Sequence, residues 1–190
     1  MSEQWPGAEP IDDEVEAPPE DIDDADEPEI RVHEHPDDGI VLPDDVELLE
    51  GEVRGTRRGV GVVLARAKPE RANALLTAAF EELDRAGVGR EHITVLLVPG
   101  AFELPLGAMA LAKTRRYSCV IALGDATDSA IVAGEAASGL QLAALETGIP
   151  VSFGVLTETG DAAERGTDAV RTALEMADVF QQLRATAKAS

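Results

Sequence analysis

Nine ionisable side chains stand where a site could use them: Arg66, Lys68, Glu103, Asp125, Asp128, Glu135, Glu158, Asp161 and Arg165. Most of them read as solvated surface. None is a histidine or a cysteine. The only histidine after residue 45 is His92, at the start of an apolar run, so no Ser/His/Asp relay can be assembled. No GxxxxGK[ST] phosphate loop occurs, and the GVG at Gly59–Gly61 precedes a strand instead of following it, the wrong geometry for a dinucleotide fingerprint. His33 and His35 supply two ligands where zinc needs three or four fixed ones, so no metal site is expected. Cys119 lies inside an apolar run and reads as a small core residue. What remains is binding chemistry. Pro99-Gly100 breaks a strand, and Ala101, Phe102 and Glu103 then open a helix. Glu103 either complements the helix dipole or joins free backbone amides in holding a polyhydroxyl or anionic ligand, with Phe102 as a wall.

The elements that must position these residues are legible from apolar runs and their punctuation. Gly59–Ala67, Ile93–Val98, Ser118–Leu123 and Val151–Leu156 read as strands. Between and after them, helices are expected from Pro69 to Gly87, over 104–114, from Ile131 to Glu146 and from Asp161 to Arg184. VELLEGEV (46–53) could add a short edge strand. The four main strands are apolar throughout, as strands covered on both faces are. Strands alternating with helices imply right-handed βαβ units. The expected fold is α/β: a flavodoxin-like three-layer sandwich with a four-stranded parallel sheet. Ligands of such sheets sit at the carboxyl ends of the strands. Four segments should line that edge: Arg66–Lys68, Pro99–Glu103, Gly124–Ala130 and Thr157–Gly166.

Charge divides the chain. Residues 1–52 carry 21 Asp and Glu against one Arg, a net of −20, while residues 53–190 carry 16 acidic and 15 basic residues, a net of −1. Residues 1–45 are rich in Asp, Glu and Pro and are expected to form a disordered acidic tail, with the ordered domain at 46–190. The near-neutral domain is compatible with self-association. No basic patch is visible in the sequence, and the acidic tail would repel phosphate, so no nucleic-acid partner is expected. MSEQWPGAEP has no basic or apolar signal region, no apolar run approaches the ~20 residues of a membrane span, and the single cysteine allows no disulfide framework. A cytoplasmic protein without a membrane partner is expected.

Several long blocks resemble one family. VPGAFELPLGAMALAK (98–113), RYSCVIALG (116–124), GEAASGLQLAALETGIPVSFGVLT (134–157) and ALEMAD (173–178), together with GEVRG ahead of the first long strand, are similar to 6,7-dimethyl-8-ribityllumazine synthase over roughly residues 46–184. The resemblance implies a transferase of riboflavin biosynthesis. That family condenses 5-amino-6-ribitylaminouracil with 3,4-dihydroxy-2-butanone 4-phosphate, without metal or cofactor. Its sites lie between subunits of a homopentamer, and pentamers sometimes build shells. Ala101, Phe102 and Glu103 match the segment that holds the ribityl chain and part of the pyrimidine. Phe153 matches a further pyrimidine-pocket residue, and Asp125, Ala126 and Thr127 fall where another pocket strand end lies.

The departures are coordinated. The family loop after LG carries a phosphate-binding Gly-Ala-Thr and a proton-transfer histidine, but here it is shortened to DATDSAIV and no catalytic residue is identified. Ala67 stands where the family has the aromatic residue that stacks on the pyrimidine. The late phosphate-binding segment is reduced to ERGTD, where only Arg165 aligns with the family's arginine. Three readings follow. The chain is a working lumazine synthase; or it is a non-catalytic paralogue, serving as an oligomeric scaffold or shell or as a flavin- or lumazine-binding protein; or it has an activity like archaeal-type riboflavin synthase. The partner of the acidic tail is unknown.

Overall fold

The computed structural model describes residues 30–32, 41–43 and 45–189. Residues up to Leu48 form one unit and those from Leu49 another. In the first unit, β1 (Ile30–Val32) and β2 (Val41–Pro43) pair antiparallel. The expectation of a disordered tail over 1–45 otherwise falls on residues outside the described ones. Residues 47–55 carry no regular structure, so the edge strand expected at 46–53 is absent. From Glu50 on, the chain runs along the last helix instead of a sheet edge. Glu50 O accepts from Gln182 Nε2 at 2.7 Å, and the Glu52 N–H donates to Asp178 Oδ2 at 3.2 Å. A side chain on Gly51 would lie 2.2 Å from Glu175 O.

The second unit holds β3 (Val60–Ala65), α1 (Pro69–Arg85), β4 (Ile93–Val98), α2 (Leu104–Lys113), β5 (Cys119–Asp125), α3 (Ala130–Thr147), β6 (Val151–Leu156) and α4 (Ala162–Ala189). The strands form one all-parallel sheet in the order β4-β3-β5-β6. The α/β flavodoxin-like architecture is therefore as expected. β4 and β6 begin and end where their apolar runs do, because Pro99-Gly100 and Gly148-Ile149-Pro150 punctuate them. Gly148 caps α3 in the left-handed region at φ 65°, and Ser129 caps its start, Oγ accepting the Val132 N–H. Pro69 sits in the first turn of α1, where its missing N–H would be unpaired anyway.

Two apolar layers flank the sheet. One side of the sheet packs on α1 and α4, through Leu75, Leu83, Val170 and Leu174. The other packs on α2 and α3, through Leu104, Leu111 and Leu140. With few aromatics, close approach substitutes for bulk. A Cβ on Gly107 of α2 would lie 2.7 Å from Val63, and one on Gly166 of α4 would lie 2.5 Å from Leu75 O. The expectation that every strand is covered fails at β4. That strand is at the sheet edge, and Leu97 is 58% exposed, with Thr94 and Val95 also open to solvent. No helix among the described residues is long and apolar enough to cross a membrane.

Candidate binding site at the carboxyl ends of the strands

Parallel register brings the carboxyl ends of the strands to one edge. Ala65 lies opposite Val98, Leu64 opposite Leu123, and Asp125 opposite Leu156. The Arg66 N–H donates to Val98 O at 3.0 Å and the Ala126 N–H to Leu156 O at 2.8 Å, so the first loop residues continue the ladder. Gly124 allows this convergence. A Cβ there would lie 2.9 Å from Leu104 and 3.1 Å from Ala65.

Asp125 is the centre of the edge. Its side chain is only 3% exposed. Oδ1 accepts from Lys68 Nζ at 2.8 Å, from the Thr127 hydroxyl at 2.6 Å and from the Thr127 N–H at 2.9 Å. Arg71 Nε lies 3.0 Å from Oδ2, an ion pair without hydrogen-bond alignment. Lys68 Nζ also reaches the Thr127 hydroxyl at 2.9 Å and Asp128 Oδ2 at 2.7 Å. Arg71 Nη2 donates to Gly160 O at 3.2 Å, tying α1 to the loop after β6. Burial alone would raise the Asp125 carboxyl, but the bonds from Lys68 and Thr127 outweigh it and hold the pKa at about 2. Hydrogen bonding to Asp125 first, and to Asp128 next, raises that of Lys68. A lysine so held is a fixed cation and neither a nucleophilic amine nor a base.

The PGAFE segment forms a 3-10 turn, Ala101–Glu103, leading into α2. Glu103 Oε2 accepts the Gly100 N–H at 2.9 Å, so the carboxylate caps its own turn. Ala101 is buried beneath this turn, and Phe102 projects into solvent. Phe153 sits in mid-strand opposite Ala122, half-buried on the α2/α3 side of the sheet. Arg165 lines a separate cleft of about 240 Å³ with Glu158, Asp161, Glu164 and Asp168, where acidic neighbours outnumber it. Thus Asp125, Ala126 and Thr127 converge with Lys68, and Ala101, Phe102 and Glu103 stand at the next strand end. Phe153 lies apart from both groups within one chain, whereas the Arg165 cleft borders the first through Leu156, opposite Asp125, and Gly160, held by Arg71. His92 is in the 3-10 turn before β4, at the opposite end of the sheet. Among the described residues no group of His, Cys, Asp and Glu could hold a metal ion.

Arg71 went unnoticed in the sequence. The signal was present: it follows Lys68 by three residues across the start of α1, the spacing that places two side chains on one helix face.

These features define a doubly wound α/β protein whose polar residues gather at the carboxyl edge of a parallel sheet. Residues 58–181 match the family of 6,7-dimethyl-8-ribityllumazine synthase. Proteins named 6,7-dimethyl-8-ribityllumazine synthase from Yersinia pestis (strain Pestoides F) and Yersinia pseudotuberculosis serotype O:1b (strain IP 31758) are each 40% identical over 155 residues, covering 73% of this chain and 99% of the relative. The chain belongs to the 6,7-dimethyl-8-ribityllumazine synthase family of riboflavin biosynthesis.

Proposed function

We propose that this chain is a family member that binds a ribityl-pyrimidine, lumazine or flavin-type ligand as a homo-oligomer and no longer runs the phosphate-releasing condensation. The observation that carries this reading is the Asp125 carboxylate, which takes up both Lys68 and Arg71. These two cations are thereby neutralised from within, and a phosphorylated substrate meets the Asp128 carboxylate, 81% exposed, beside them; Arg66, exposed directly after β3, is left without a carboxylate partner among the described residues. Arg165, the other candidate for a phosphate, is ringed by acid. Among the described residues no histidine stands at this edge to move a proton, and such a group contributes about 10²–10⁴-fold. Ala101–Glu103 retain the turn that a ribityl chain would use, and Phe102 is free to wall a ring.

Self-association is supported by an uncovered apolar stripe. Ile131, Leu142 and Leu145 on α3 are exposed at heptad-like spacing, and Leu106 on α2 is open as well. A pentamer is the assembly proposed, and a neighbouring copy would bring its Phe153 toward this edge. The test is incubation of the full chain at high concentration with 5-amino-6-ribitylaminouracil and 3,4-dihydroxy-2-butanone 4-phosphate, with riboflavin binding followed in parallel by fluorescence quenching. Binding without lumazine formation is expected. Lumazine formation abolished by Glu103→Ala would overturn the reading and establish a working synthase, and conversion of added lumazine to riboflavin would establish the riboflavin synthase-like alternative.

A further inference from the structure

A second polar cluster lies at the other end of the sheet, before β3 and β5. Residues 54–59 (RGTRRG) lead into β3, and residues 113–118 (KTRRYS) lead into β5. The two loops touch through their backbones. The Ser118 N–H donates to Gly59 O at 2.8 Å, and a Cβ on Gly59 would lie 2.7 Å from Arg116 O. Each loop holds one non-glycine residue in the left-handed region, Arg57 at φ 62° and Arg115 at φ 59°. Glycine or asparagine fits that conformation better, so turn geometry does not account for arginine at both places. The two stretches hold Arg54, Arg57, Arg58, Lys113, Arg115 and Arg116 with no carboxylate between them. Arg54 pairs with Glu52 and Arg58 with Asp178. Among the described residues, no carboxylate pairs with Arg57, Lys113, Arg115 or Arg116.

Beside this rim is a cavity of about 360 Å³ lined by Arg58, Ser118, Ala177, Gln181, Arg184 and Ala185. The last four lie on one face of α4. Arg58 is a fixed element of the wall. Its side chain is 9% exposed, and Nη2 is held by Asp178 Oδ1 at 2.5 Å. Asp178 Oδ2 accepts from Gln182 Nε2 at 2.7 Å and from the Glu52 N–H, so the carboxylate is itself pinned. Arg184 is an exposed residue, tethered by one nitrogen to Gly148 O at 3.0 Å, with its guanidinium carbon 5.9 Å from the centre of the Phe180 ring.

We propose that this cavity binds a phosphorylated small molecule, the phosphate lying against Arg184 with the Ser118 hydroxyl and Gln181 amide as further partners and the Asp178-paired Arg58 as the wall behind it. Arg57, Arg115 and Arg116 raise the local anion concentration at its mouth. The cavity volume falls at the small end of the range for small-molecule sites. A long polyanion is disfavoured because residues 53–190 carry a net of −1, so the basic rim has no extended basic surface to continue it. The site is separate from the strand carboxyl ends and does not depend on what binds there.

The test is calorimetric titration of the full-length protein with inorganic pyrophosphate at fixed ionic strength. Saturable binding with one site per chain is expected. Arg184→Gln, at an exposed position, should weaken it about 10- to 100-fold, the range for a lost charge-assisted hydrogen bond. Ser118→Ala should weaken it less. Lys68→Gln, at the other end of the sheet, should leave it within about twofold. The proposal is overturned by absence of saturable binding, by insensitivity to Arg184→Gln with the protein folded, by loss on Lys68→Gln instead, or by a single-stranded oligonucleotide binding that pyrophosphate fails to displace.

Discussion

Asp125→Asn isolates the group that organises the carboxyl edge of the sheet. Asparagine keeps the shape and can still accept from Thr127. It loses the charge, and its amide turns a donor toward either Lys68 or Arg71. The carboxyl lies at about 2 in the folded chain against an ordinary 3.8, a difference worth roughly 2 kcal/mol by linkage. Lys68 and Arg71 are 30% and 32% exposed and regain water when released, so the net loss at pH 7 is discounted to about 1 kcal/mol. For a domain of this size that lowers the melting temperature by roughly 3 °C. The sign with pH is fixed, because the folded pKa lies below the unfolded one. The stabilisation is fully present above about pH 4 and is lost as pH falls through about 2. Urea unfolding followed by far-ultraviolet circular dichroism at pH 7 and pH 2.5 measures both effects; the single tryptophan, Trp5, precedes the domain and is a poor reporter. A mutant as stable as the parent at pH 7, or a gap that stays constant as pH falls, would refute the assignment of Asp125 as the anchor.

Other outcomes follow from packing and burial. Gly166→Ala forces a Cβ to 2.5 Å from Leu75 O, between α1 and α4, and should destabilise the domain by about 2 kcal/mol in urea unfolding. Arg58→Ala leaves Asp178 with a charge-bonded oxygen unpaired, and a loss of about 3 kcal/mol is expected by the same measurement. Burial pushes the Cys119 thiol up to about 12 against the opposing pull of Arg58, so a thiol reagent at pH 8 should react only at the rate of unfolding. Leu142→Glu with Leu145→Glu should abolish the proposed self-association at unchanged circular dichroism, read by native mass measurement; a mass equal to that of the parent assembly would remove α3 from the interface.

How much of this was legible depended on whether the cause was local. β4 and β6 were readable to the residue because each is a largely apolar run, the first stopped by Pro99-Gly100 and the second started after Gly148-Ile149-Pro150. The end of α4 was not: RATAKA (184–189) carries no stop signal, so the helix runs five residues past Arg184. The exposure of Leu97 was hidden because an apolar run looks the same at a sheet edge as at its centre. The ion pair of Lys68 with Asp125 joins residues 57 apart and exists only because β3 lies beside β5. The meeting of RGTRRG with KTRRYS has the same origin. Neither arginine stretch alone reads as a patch, and net charge over 53–190 conceals both.

The loop after β5 orders the strand ends from within. A loop that only joined β5 to α3 would leave the cations beside it without fixed partners. Instead Asp125 folds the loop onto itself through the Thr127 N–H, and with the same oxygen holds Lys68 across the strand ends. Asp128 closes on the same amine from the solvent side. The loop has to be short for this, because Asp125 is the last residue of the strand and Ser129 already caps the next helix. The charge balance that a bound anion would provide is thus supplied by the chain, and the edge is ordered without a ligand. Binding of an uncharged polyol or ring at the adjacent Ala101–Glu103 turn then has no salt-dependent component from this cluster, whereas binding at the arginine end of the sheet does. Comparing riboflavin and pyrophosphate affinities across a salt series separates the two ends without any mutation: the first should be flat, and the second should weaken as salt rises.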